Sequence, residues 1–181
     1  MACKLLVFTF LATFSTSIFA DQHKTTTSLR PKRKAHAHEH GNSEFKLIAT
    51  ENELILEGAL PMDDVVGFER APKNDAEKAA LENAMNLIET GKLLAPDSAE
   101  CKISEAKAEI DPKFDKKVTH YEVDISLSWK CPKPVSQLRL DGFANFKSIN
   151  SLTLVLLNQG KQTSISVKRS DQKSVVSLTE K

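Results

Sequence analysis

Apolar and polar residues alternate most cleanly between His120 and Cys131. Tyr121, Val123, Ile125, Leu127, Trp129 and Cys131 share one parity; His120, Glu122, Asp124, Ser126, Ser128 and Lys130 share the other. A period of two sends successive side chains to opposite faces of a strand, so the first set predicts a core face and the second a wet one. A second strand is expected from Cys101 through Ile103, Ala106, Ala108 and Ile110, with an irregularity at Ser104-Glu105. If the two pair antiparallel across the short charged loop 111–117, Cys101 at the start of one lies beside Cys131 at the end of the other.

The same reading predicts two further hairpins. One joins Phe45–Ala49 to Leu54–Leu60 around Glu51-Asn52, and the other joins Leu152–Leu157 to Gln162–Val167 around Asn158-Gln159-Gly160. Leu138–Leu140 predicts a short strand, Phe143–Ile149 a helical or turn segment, and Val175–Leu178 an edge strand. Pro61 ends the first hairpin, and residues 62–72 read as a loop with apolar anchors. A helix is expected from a cap at Asn74 or Asp75 to about Thr90. Ala80, Leu81, Ala84, Met85, Leu87 and Ile88 form its stripe and Gly91 its stop. The fold class is α+β: mostly antiparallel β-sheet with one long helix, in a single domain over residues 44–181.

What precedes that domain is different in kind. Met1–Lys4 is a short basic start, Leu5–Ala12 an apolar run, and Ser15–Ala20 a small-residue approach to Asp21. This is the layout of a signal peptide over residues 1–20, with the cut expected after Ala20; the run is too short for a membrane span. Export would place the mature chain in the periplasm. Residues 21–43 are basic and His-rich with almost nothing apolar, which predicts a disordered arm. The chain has three cysteines, and Cys3 leaves with the signal. The remaining pair, Cys101 and Cys131, predicts a disulfide in an oxidising compartment. A net charge of +1 gives no reason to expect a nucleic-acid partner.

The candidate chemistry lies mainly in the arm. His36, His38 and His40 place three of the five histidines at alternating positions within five residues. On an extended backbone they project to one side and can converge on one ion. Neutral imidazole suits zinc, copper, nickel and iron. Three histidines from one peptide need an anchor on the domain, and His120 with Glu122 or Glu69 are the candidates to close the site. A cut after Ala20 would also expose Asp21-Gln22-His23, whose amine, amides and imidazole offer a square of nitrogens for Cu(II) or Ni(II). No Gly-Lys phosphate loop, no Gly-x-Ser-x-Gly elbow and no apolar-set carboxylate pair are present, so no enzyme is expected.

The order of these signals resembles the ZrgA proteins, periplasmic accessory proteins of zinc uptake. The matching pieces are His36-x-His38-x-His40-Gly41, Leu60-Pro61, Asp64-x-Val66-Gly67-Phe68-Glu69, and the Ala79-Ala80-Leu81-Glu82 helix. Cys101, His120-Tyr121-Glu122 and Trp129-Lys130-Cys131 follow, and the likeness runs from about His36 to Val167. The resemblance implies a zinc-binding protein that helps supply a zinc ABC importer. Two departures stand out: Arg70 occupies a position often held by His, and the loop 111–117 replaces a longer stretch rich in His, Asp and Glu. Both imply fewer zinc ions. The competing readings are a non-catalytic structural or interaction domain of the cell envelope with incidental histidines, and a copper- or nickel-binding envelope protein.

Overall fold

The computed structural model describes residues 40–111, 113–114 and 118–178. They lie within one compact unit, Ala37–Lys181. Nine strands and three short or medium helices follow in the order β1 (Asn42–Ala49), β2 (Glu53–Pro61), α1 (Met62–Val66), α2 (Asp75–Glu89), β3 (Ala95–Pro96), β4 (Lys102–Asp111), β5 (Glu122–Lys130), β6 (Gln137–Arg139), α3 (Gly142–Asn145), β7 (Ser151–Asn158), β8 (Lys161–Lys168) and β9 (Val175–Ser177). The α+β class holds. A six-stranded sheet runs β4-β5-β2-β1-β7-β8, and a small one runs β3-β6-β9.

The period-two patterns become one buried face. Tyr121, Val123, Ile125, Leu127 and Trp129 are buried along β5, as are Phe45 and Leu47 on β1, Leu54, Leu56 and Leu60 on β2, and Leu152 and Leu154 on β7. Each fully buried aliphatic or aromatic side chain contributes about 1.5–3 kcal/mol, so this face is what makes the sheet stable. Ala84 and Ile88 of α2, Leu93, Leu94, Leu138, Phe146 and Ile149 complete the same core. Asn74 caps α2 by accepting the Glu77 N–H. Only Ala84 and Ile88 of the expected stripe are fully buried, and Ala80 is exposed.

Several expectations need correcting. Residues 62–66 are a helical turn, not irregular loop: Pro61 stands at the N-cap, and Gly67 ends the turn in the left-handed conformation at φ +80. The first strand begins at Asn42, three residues before the expected start at Phe45 and within the stretch expected to be arm. The large sheet is mostly antiparallel, as expected, with one parallel pair: β1 runs alongside β7 from Asn42↔Ser151 to Ala49↔Asn158. Sequence alternation sees which face of a strand is apolar but not which distant strand lies beside it. The irregularity expected at Ser104-Glu105 is present as a register shift between Ile103 and Glu105. The disulfide Cys101–Cys131 closes the β4–β5 pair, with Cα atoms 4.3 Å apart. Among the described residues, no helix is long and apolar enough to cross a membrane.

This topology gathers three separate chain segments at one end of the sheet. β1 and β2 are antiparallel, so the start of β1 lies where β2 ends. β5 is antiparallel to β2 and pairs Glu122 with Pro61, so β5 starts at that end too. Met62 donates its N–H to the Tyr121 carbonyl at 2.9 Å, which ties α1 to the start of β5.

Candidate metal centre

His40 and Gly41 lead into β1, and Gly41 is held from both sides. Its carbonyl accepts the N–H groups of Asn150 (2.7 Å) and Ser151 (2.9 Å). Its own N–H points at the Asp64 carboxylate, 2.9 Å from Oδ1 and 2.8 Å from Oδ2. Gly41 has φ +80, and a Cβ there would collide with the Asn150 side chain. Any other residue would be strained at this position. The backbone of His40 is thereby fixed against α1 and β7.

Fixing His40 brings its imidazole among carboxylates. Nδ1 lies 3.8 Å from Asp63 Oδ2 and 3.9 Å from Glu69 Oε1. His40, Asp63 and Asp64 each offer a ligand atom, all within 4.8 Å of one another. Two zinc ligands, each about 2.0–2.1 Å from the ion at a tetrahedral angle, sit roughly 3.3 Å apart. The His40–Asp63 and His40–Glu69 separations are therefore too long for hydrogen bonds but one small side-chain rotation from a shared ion. Asp64 is buried, and burial pushes its carboxyl above the usual range; the Gly41 N–H and the His40 ring act against that shift.

The Gly67 turn sends the chain back from α1 and delivers Glu69. Its other carboxylate oxygen, Oε2, lies 3.0 Å from His120 Nδ1. A neutral His120 that donates Nδ1–H to Glu69 keeps a lone pair on Nε2, on the far side of the ring. The His120 ring is well exposed, so that nitrogen is open to solvent. Next to Glu69, Arg70 lies over the Phe68 ring at 4.8 Å and gives Glu77 two N–H bonds, at 2.6 and 2.9 Å. Those bonds, with the Lys73 N–H, hold the Glu77 carboxyl down at about 2. The segment from Phe68 to Lys73 is thus tied to the first turn of α2.

Of the residues singled out in the sequence, His40, Glu69 and His120 come together here. His36, His38 and the Asp21-Gln22-His23 tripeptide lie outside the described residues. Glu122 opens β5 opposite both Pro61 and Asp111. The group whose ligand atoms lie mutually within 4.8 Å is His40, Asp63 and Asp64; Glu69 and His120 join it only through the pair distances above, and Glu122 is not part of it. Asp63 and Asp64 were not anticipated as metal-site residues. The signal that could have found them was Pro61 followed within three residues by two acids, the start of a helical turn rather than a loop.

Nitrogen from imidazole and oxygen from carboxylate, with no thiol, is a donor set that suits zinc and disfavours Cu(I). No curated protein matches the chain. The sequence profile described as "ZrgA family zinc uptake protein" matches residues 37–176, a span that holds the whole group described above. The chain belongs to the ZrgA family of zinc uptake proteins.

Proposed function

We propose that this chain is an exported, non-catalytic zinc carrier. It takes up zinc through His36, His38 and His40 with His120, Asp63 and Glu69, and presents the ion to a zinc ABC importer. The observation that carries the reading is the position of His40. The last of three alternating histidines lies 3.8 Å from Asp63 and 3.9 Å from a glutamate that in turn meets His120. Family membership supports zinc as the cargo. The signal-peptide layout of residues 1–20 supports delivery to the periplasm.

Zinc titration of the chain lacking residues 1–20 tests the carrier. We expect one tight site, lost when His36, His38 and His40 are all changed to Ala and weakened by His120→Ala. Unchanged affinity in the triple variant removes the arm from the site. Absence of tight zinc binding in the wild type would favour an envelope interaction domain. A square-planar Cu(II) spectrum that vanishes when one residue is added before Asp21 would assign copper to Asp21-Gln22-His23. Cell fractionation checks export, and growth in zinc-poor medium, with and without the chain in an importer-positive and an importer-null background, checks the link to the importer.

A further inference from the structure

Asp63 and Asp64 are neighbours in sequence and in the same candidate group, yet their surroundings divide them. The Asp63 side chain is 41% exposed and lies 3.8 Å from His40 Nδ1. Asp64 is 2% exposed, and both of its oxygens converge on the single N–H of Gly41. A carboxylate has about four lone-pair sites, so one N–H does not exhaust it. What sets Asp64 apart is direction and access: both oxygens lie against the backbone N–H of Gly41, and the residue is almost wholly buried.

Burying a carboxylate is costly unless its partners compensate. At Asp64 the partner is the one backbone group that decides where His40 stands. Gly41 is already fixed on its other side by the Asn150 and Ser151 N–H groups, and its left-handed φ with the Asn150 side chain close by disfavours any side chain there. Asp64 supplies the remaining hold.

We propose that Asp64 is a positioning residue: it tethers Gly41 to α1 and so sets the His40 imidazole beside Asp63 and Glu69, which meet the ion. The proposal rests on the zinc-carrier reading above and assigns the two aspartates different work within it. Asp64→Asn separates the roles, because the amide oxygen still accepts the Gly41 N–H while the carboxylate is gone. Asp64→Ala removes both.

The test uses the chain lacking residues 1–20. In the wild type, zinc addition should shift the side-chain carboxyl carbon resonance of Asp63 and leave that of Asp64 in place. By titration, Asp64→Asn should keep zinc affinity within about threefold of wild type, whereas Asp64→Ala and Asp63→Asn should each lose about tenfold or more. In the metal-free protein, hydrogen exchange at the Gly41 amide should be slow in wild type and Asp64→Asn and fast in Asp64→Ala. An Asp64 resonance that moves as far as that of Asp63, or an Asp64→Asn variant as weak as Asp63→Asn, makes Asp64 a ligand and overturns the proposal. Fast Gly41 exchange in the wild type overturns the tether itself. A wild type that takes no zinc overturns the carrier reading instead, and the exchange comparison still decides the tether without metal.

Discussion

Glu69 Oε2 lies 3.0 Å from His120 Nδ1, across 51 positions of sequence. The contact joins the turn after α1 to the chain entering β5. With Glu69 ionised, the contact places a proton on His120 Nδ1, because a carboxylate can only accept. A ligand imidazole backed by a carboxylate is more basic and better oriented than a free one.

Removing that backing should weaken zinc without unfolding the protein, because both groups lie at the surface end of the sheet. Glu69→Gln is expected to lower zinc affinity by about 10–100-fold. Thermal denaturation of the metal-free variant should match wild type closely. A Glu69→Gln protein with wild-type affinity would mean that Glu69 neither backs His120 nor meets the ion.

Strand faces were legible because burial on one side of a sheet writes itself into the chain with period two. Tyr121 to Cys131 shows this except at Ser128, which belongs to the polar parity yet is buried. The disulfide was legible for the same reason, since antiparallel pairing of two readable strands places Cys101 beside Cys131. The site was legible only in part. His40 and His120 stand out as uncommon residues, and Glu69 through the family resemblance. Asp63 does not, because acids after a proline are common at the surface, and Asp64 opens the same matching stretch as Glu69 without any sign of a role in a metal site. Their meaning depends on the return of β1 alongside β2 and on the parallel pairing of β1 with β7, which no local pattern encodes.

The disulfide should contribute most of its stability through the unfolded chain. Its cysteines are 30 positions apart, which corresponds to about 3–4 kcal/mol of loop-closure entropy. The Cys101→Ala, Cys131→Ala double variant should lower the unfolding free energy read from urea denaturation by that amount while retaining the near-ultraviolet signature of Trp129, which is buried on β5. Intact mass after alkylation, with and without reduction, should differ by two newly alkylated thiols.

Gly58 is expected to resist substitution even though its backbone is ordinary strand. It pairs with Phe45 across β1 and β2, and the Phe45 ring covers the place a Cβ would take. Gly58→Ala should destabilise by about 1–3 kcal/mol through overpacking. Adding Phe45→Leu should cost less in the Gly58→Ala background than in wild type, a coupling that a double-mutant cycle in urea would read. Strict additivity would mean that the ring and the glycine do not share the space.

Acid should loosen the hold that α2 has on the segment bearing Glu69. The Glu77 carboxylate takes two N–H bonds from Arg70 and one from the Lys73 backbone at 2.7 Å. The Arg70 bonds lead in pressing its folded-state carboxyl to about 2. In the unfolded chain the group titrates at about 4.3. A carboxyl depressed on folding stabilises the fold fully above its unfolded value, and that contribution fades as pH falls toward the folded one. Wild type should therefore be more stable than Glu77→Gln at pH 7, with the gap narrowing from about pH 5 and closing near pH 2. Urea denaturation of both proteins at several pH values measures it. A gap that is constant from pH 7 to pH 2 would mean that the Arg70–Glu77 pair contributes by packing rather than by charge. A gap that closes as described, with weaker zinc binding by Glu77→Gln at pH 7, would place the clamp on α2 among the supports of Glu69.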